Sequence, residues 1–145
     1  SGIDGSTSTA LGFALLSDKT NILVTGDVSF FYDSNAFFHQ HKAPNLKVVL
    51  INNQGGGIFR FIPGPDKTPQ AESVFASRHS FNAKGIASSY DIDYESVENE
   101  HSFIEKVIPW LTNDKKSGIM EVFTPKDDNA TLLKEKTSST SGSSS

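Results

Sequence analysis

Two short clusters carry residue types that could do chemistry. Gly26-Asp27-Val28-Ser29 follows directly on the apolar run "NILVT", and Asn52-Asn53-Gln54-Gly55-Gly56-Gly57 follows "LKVVLI". Asp27 brings a hard carboxylate oxygen and Asn53 a neutral amide oxygen. The glycines permit a loop that turns a backbone carbonyl inward, a freedom that residues with a Cβ lack. One carboxylate, one amide oxygen and one carbonyl would fill three positions of a Mg2+ octahedron, whose roughly six oxygens are completed by phosphate and water. Beside them, the amides of Val28 and Ser29 would open a helix whose unpaired N–H groups and dipole attract a phosphate. Taken singly, each cluster has a plainer reading, because Gly-Asp after a strand is commonly a turn with a helix cap and Asn-Asn commonly a turn. Their joint placement says more. Asp27 and Asn53 stand 26 residues apart, about one strand–helix–strand unit, and each follows an apolar strand.

The elements that must position these clusters alternate along the chain. "TSTALGFALLS" (7–17) is expected to be helical, with Ala10, Leu11, Ala14 and Leu15 on one face and Asp4 or Ser6 available as its cap. "NILVTG" (21–26) and "LKVVLIN" (46–52) read as short buried strands. Between them, "SFFYDSNAFFHQHK" (29–42) returns Phe30, Phe31, Ser34, Phe37 and Phe38 at helical spacing. Segments 82–91 and 102–111 read as further helices, and "SGIMEVFTP" (117–125) as a last strand. Strands alternating with helices predict an α/β fold: a three-layer, open, mainly parallel sheet with helices on both faces. In such sheets ligands sit beyond the carboxyl ends of the strands, where both clusters would share a rim if the two strands are neighbours.

Gly26-Asp27, an intervening helix and strand, and then Asn52-Asn53 resemble the GD…NN signature of thiamine diphosphate enzymes. The resemblance implies that Asp27 and Asn53 ligate Mg2+ (or Mn2+) by side chain and Gly55 by its carbonyl. It implies that Gly26, Val28 and Ser29 contact the diphosphate, that Ile3 wedges between the cofactor's two rings, and that Ser1 and Gly2 lie beside the pyrimidine. Ile58 and Phe59 fall where the family lines the substrate side of the thiazolium. "SGIDGSTSTALG", "GDVSFFYDSNAF", "INNQGGGIFRFIP", "HSFNAKGIASSYDI" and "GIMEVFTPKDDNA" together are similar to one branch of the family. That branch decarboxylates 2-oxoglutarate and adds the succinyl carbanion to isochorismate in menaquinone biosynthesis. Most of the wider family reads GDG where this chain reads GDV. The resemblance also implies a homo-oligomer, a dimer or tetramer. It further implies an activating glutamate from another domain, usually a partner subunit's, and an arginine expected just before Ser1. Glu72, Glu95, Glu98, Glu100, Glu105, Glu121 and Glu135 match no such motif and are expected to face solvent. On this reading residues 1–130 are the diphosphate-anchoring domain of a longer enzyme, residues 131–145 a disordered tail, and the chain alone is inactive.

Composition narrows the classes. At 145 residues, with a net charge of −4, the chain offers no basic field for nucleic acid. With Cys at 0 it holds no thiolate ligand, disulfide or Cys nucleophile. No run approaches the roughly 18 apolar residues of a membrane span, and a cytoplasmic location is the default. "TSSTSGSSS" (137–145) is low-complexity and reads as a linker or tail. His39 and His41 are expected on a polar surface, His79 in a capping or structural role, and Arg60 either on the surface or against a substrate carboxylate. The phenylalanines at 30, 31, 37 and 38 suit a core or a subunit interface. "PGPDKTPQAES" (63–73) reads as a lid or connector. Two alternatives stand beside this reading: another thiamine diphosphate decarboxylase or carboligase, and a non-catalytic α/β binding module in which Asp27 only caps a helix.

Overall fold

A computed structural model describes residues 3–39, 41, 43–55, 79–113 and 115–124. In chain order the elements are α1 (Ser6–Leu15), β1 (Asn21–Gly26), α2 (Asp27–Tyr32), a 3₁₀ turn (Ser34–Phe37), β2 (Leu46–Asn52), α3 (Lys84–Ser89), β3 (Asp93–Val97), α4 (Glu100–Leu111) and β4 (Gly118–Phe123). The four strands form one parallel sheet in the order β1-β2-β4-β3. β1 and β2 are therefore neighbours, with Gly26 in register with Ile51, and their carboxyl ends share a rim.

Side chains that alternate along β2 build two cores. Leu46, Val48 and Leu50 face α1, α2 and α3, where Leu11, Ala14, Phe30, Phe37, Ala83 and Ala87 are buried with Ile119. Val49 faces the other way and joins Val97, Met120 and Trp110, which α4 brings to that face. Helices thus lie on both sides of the sheet, giving the three layers expected. β2 is buried along almost its whole length because it lies inside the sheet and is covered on both faces.

Several local expectations are corrected. The segment 29–42 is not one helix: α2 ends at Tyr32, and Asp33 leaves helical geometry before the 3₁₀ turn. The Asp33 carboxylate instead accepts the Ser8 amide at 2.7 Å and the Ser8 hydroxyl at 2.6 Å, capping the first turn of α1 from 25 residues away. Neither Asp4 nor Ser6 caps α1, whose N-cap position is Gly5 in the left-handed conformation. The buried face of α1 runs through Thr7, Leu11 and Ala14, and Leu15 is exposed. Phe38 also points to solvent, whereas Phe30 and Phe37 are core. β3 was not expected from the sequence. Glu121 is fully buried rather than solvent-facing. So is Lys47, whose ammonium donates to the carbonyls of Asn113 at 2.5 Å and Lys116 at 2.8 Å and lies over the Trp110 ring.

Candidate cofactor and metal site

Asp27 opens α2 directly after β1, at the rim of the sheet, and is only 3% exposed. A buried carboxylate requires compensation. Oδ1 accepts the amide of Val28 at 2.7 Å and Oδ2 the amide of Gly55 at 3.0 Å, so the ends of β1 and β2 are tied through this one side chain. The imidazole Nε2 of His79 lies 3.2 Å from Oδ2. Among the described residues no Lys or Arg lies within 4.0 Å of this carboxylate. A carboxylate offers about four lone-pair positions; two backbone N–H groups donate to it and the His79 ring nitrogen stands beside it, which leaves room for a cation.

The loop after β2 is shaped by its two asparagines in different ways. Asn52 is fully buried, and its Oδ1 accepts the Gln54 amide at 2.9 Å, closing an Asx turn. That turn holds Gln54 at φ 62°, a left-handed conformation uncommon for a residue with a side chain. Asn52 Nδ2 donates to Glu121 Oε1 at 2.7 Å and to the Phe81 carbonyl at 3.0 Å. Glu121 Oε2 accepts in turn from the Ala83 amide at 3.0 Å and from the Tyr94 hydroxyl at 2.6 Å. Burial, together with the adjacent Glu121 carboxylate, pushes the Tyr94 hydroxyl well above its ordinary pKa. This network of buried polar groups fixes the start of the glycine loop from below. Asn53, half-buried, has no side-chain hydrogen bond among the described residues and stays available as a ligand.

Two further observations bear on whether a metal and a diphosphate fit here. Among the described residues, a Cβ placed on Gly26 would meet no atom within 4 Å beyond its own chain neighbours, so this backbone leaves space for a ligand. Among the described residues no three His, Asp or Glu side chains gather into a metal cage. A cation here would depend on phosphate oxygens for much of its shell, which is the usual Mg2+ arrangement. The donor set fits both groups.

The other residues singled out by sequence fall as follows. Ser29 is drawn toward the start of the chain, its hydroxyl donating to the Ile3 carbonyl and lying 3.0 Å from the Ser6 hydroxyl. Ile3 thereby stands beside the first turn of α2, about half exposed. Contact between Gly55 and Asp27 is through the Gly55 amide. His39 and His41 are exposed, as expected. Ser1, Gly2, Ile58, Phe59, Arg60, the 63–73 segment and the 131–145 tail lie outside the described residues. Sequence reasoning missed Asn52, Glu121 and Tyr94 as supports of the loop. It also set His79 apart from the site; its one signal was a polar, ring-bearing residue at the head of an aromatic pair with Phe81.

A parallel α/β sheet with a buried carboxylate and an uncommitted side-chain amide at one carboxyl rim is laid out as a ligand-binding domain. Residues 4–122 match the thiamine pyrophosphate enzyme, C-terminal TPP binding domain, and the chain belongs to that family. Among curated relatives, the chain is 47% identical over 133 residues to a 2-succinyl-5-enolpyruvyl-6-hydroxy-3-cyclohexene-1-carboxylate synthase of Flavobacterium psychrophilum, covering 92% of this chain and 24% of that protein. Synthases with the same name from Flavobacterium johnsoniae and Bacteroides thetaiotaomicron are 43% and 41% identical, each over 93% of this chain and 24% and 25% of their own length. The chain thus spans about a quarter of the length of these relatives.

Proposed function

We propose that this chain is the diphosphate- and metal-anchoring part of a thiamine diphosphate- and Mg2+-dependent synthase that joins 2-oxoglutarate, after its decarboxylation, to isochorismate. The observation that carries the reading is the buried Asp27 carboxylate, tied to the ends of both β1 and β2 and without a Lys or Arg partner among the described residues. In this account Asp27, Asn53 and the Gly55 carbonyl hold the metal. Gly26 admits the diphosphate close to the backbone, with Val28 and Ser29 beside it. Ile3, tethered by Ser29, supports the bent cofactor, with Ser1 and Gly2 next to the pyrimidine and Ile58 and Phe59 toward the substrate.

When bound, the cofactor supplies the electron sink for decarboxylation and carbon–carbon bond formation. This chain's share is anchoring and orientation; the activating glutamate is supplied by another domain or by a partner copy in a homo-oligomer, at work in the cytoplasm. The names of the relatives, with 37–47% identity, favour this synthase over another carboligase of the family. The test is product formation from 2-oxoglutarate and isochorismate by the longer protein that carries this chain. Activity with that pair and loss in Asp27→Ala are expected. Turnover with other 2-oxo acids but not 2-oxoglutarate would assign it to a different branch.

A further inference from the structure

We propose that His79 is a positioning residue for the Asp27 carboxylate: it presents its Nε2–H to Oδ2 so that the remaining lone pair is aimed at the metal. The inference rests on the reading of Asp27 as the metal's carboxylate ligand.

The ring is held firmly. Its side chain is 9% exposed. Phe31 meets it edge-on at 5.2 Å and Phe81 stacks on it at 5.5 Å, with 16° between the planes. The Phe81 amide donates to Nδ1 at 3.1 Å, so Nδ1 is an acceptor and the ring's proton sits on Nε2. Buried Nε2 has no aligned hydrogen-bond acceptor, yet Asp27 Oδ2 is only 3.2 Å away. An unmet buried donor is costly, and the Asp27 carboxylate is an acceptor within its reach. The His79 amide also reaches the Gln54 carbonyl at 3.4 Å, so the same residue touches both parts of the site. A histidine confined to packing would leave Nε2 facing apolar neighbours. Here it faces the buried Asp27 carboxylate. Hydrogen-bond partners of metal ligands fix the ligand's orientation, and their loss commonly costs 10–100-fold in affinity.

Two substitutions separate orientation from packing. His79→Phe keeps a ring between Phe31 and Phe81 but removes the donor. His79→Gln loses the ring but carries an amide N–H to about the place of Nε2. With thiamine diphosphate titrated calorimetrically at saturating Mg2+, we expect His79→Phe to weaken binding by about 10–100-fold and His79→Gln to restore most of that loss. Binding by His79→Phe equal to the unaltered protein, or Gln worse than Phe, would overturn the inference. Should His79→Gln not fold, the imidazole 15N resonances of the unaltered protein decide. Protonation on Nε2 with a bare Nδ1, and movement of Nε2 on adding Mg2+ with the cofactor, are expected; the opposite tautomer overturns it. Failure of the underlying reading looks different: Asp27→Asn then binds as well as the unaltered protein, and the His79 inference falls with it.

Discussion

At the scale of single residues, the rim is a set of polar groups each with a distinct physical task. Asn52 and Asn53 are adjacent and chemically identical, yet one is fully buried and committed to the Asx turn while the other is uncommitted. Glu121 underlies that division, since its carboxylate accepts from Asn52, Ala83 and Tyr94. Removing the donor from a part-buried hydrogen bond to the fully buried Glu121 carboxylate is expensive, so Tyr94→Phe is expected to destabilise the fold by about 2 kcal/mol in denaturant titration. Tyr94 also sets an alkaline limit. Burial and Glu121 raise its folded pKa above the ordinary 10.0, so above about pH 10 the unfolded chain releases this proton while the native state retains it. Its contribution is complete below that pH and is lost as pH rises toward the folded value. Stability measured from pH 8 to 11 should fall more steeply in the unaltered protein than in Tyr94→Phe; parallel curves would contradict this.

At the scale of elements, what was legible depended on how much of an element's pattern was apolar. β1 and β2 were bounded correctly because a mainly apolar run ends at Gly26 and at Asn52. β3 escaped notice because it is an edge strand whose Glu95 and Ser96 are exposed and in which only Val97 is fully buried. The 29–42 segment misled because its phenylalanines keep helical spacing across Asp33, whose carboxylate is engaged by α1 instead. Such a long-range cap leaves no trace in local sequence. The positions of Asp27 and Asn53 at the rim were legible because strand ends are marked by composition, whereas the Glu121 support required knowing that β2 and β4 pair. That pairing also explains Gly118. A Cβ there would come within 2.8 Å of Trp110 Nε1, so the first residue of β4 must be small for α4 to dock. Gly118→Ala is expected to cost about 1–3 kcal/mol through overpacking. It should also shift the emission of Trp110, the chain's single tryptophan; unchanged stability and emission would show that α4 yields without cost.

At the scale of the whole molecule, the sheet is covered unevenly. α4 shields β2, β4 and β3 on one face, but on that face Ile22 and Val24 of β1 are 55% and 65% exposed. Phe13 and Ile3 flank Ile22 in a groove along the same edge. Apolar surface of this kind is favourably removed from water. The chain is therefore expected to self-associate in light scattering, and the pair Ile22→Ser and Val24→Ser to reduce it; a strictly monomeric unaltered chain would count against this. No helix among the described residues is long and apolar enough to cross a membrane.

The central claim is that the rim between β1 and β2 holds a metal and a diphosphate together through Asp27. Calorimetric titration of thiamine diphosphate, with Mg2+ and again with chelator, in the unaltered protein and in Asp27→Asn, tests it most directly. The account predicts binding that requires the metal and weakens by about 100-fold in Asp27→Asn, roughly 2.7 kcal/mol. Binding that is indifferent to Mg2+, or unchanged by the substitution, would contradict it.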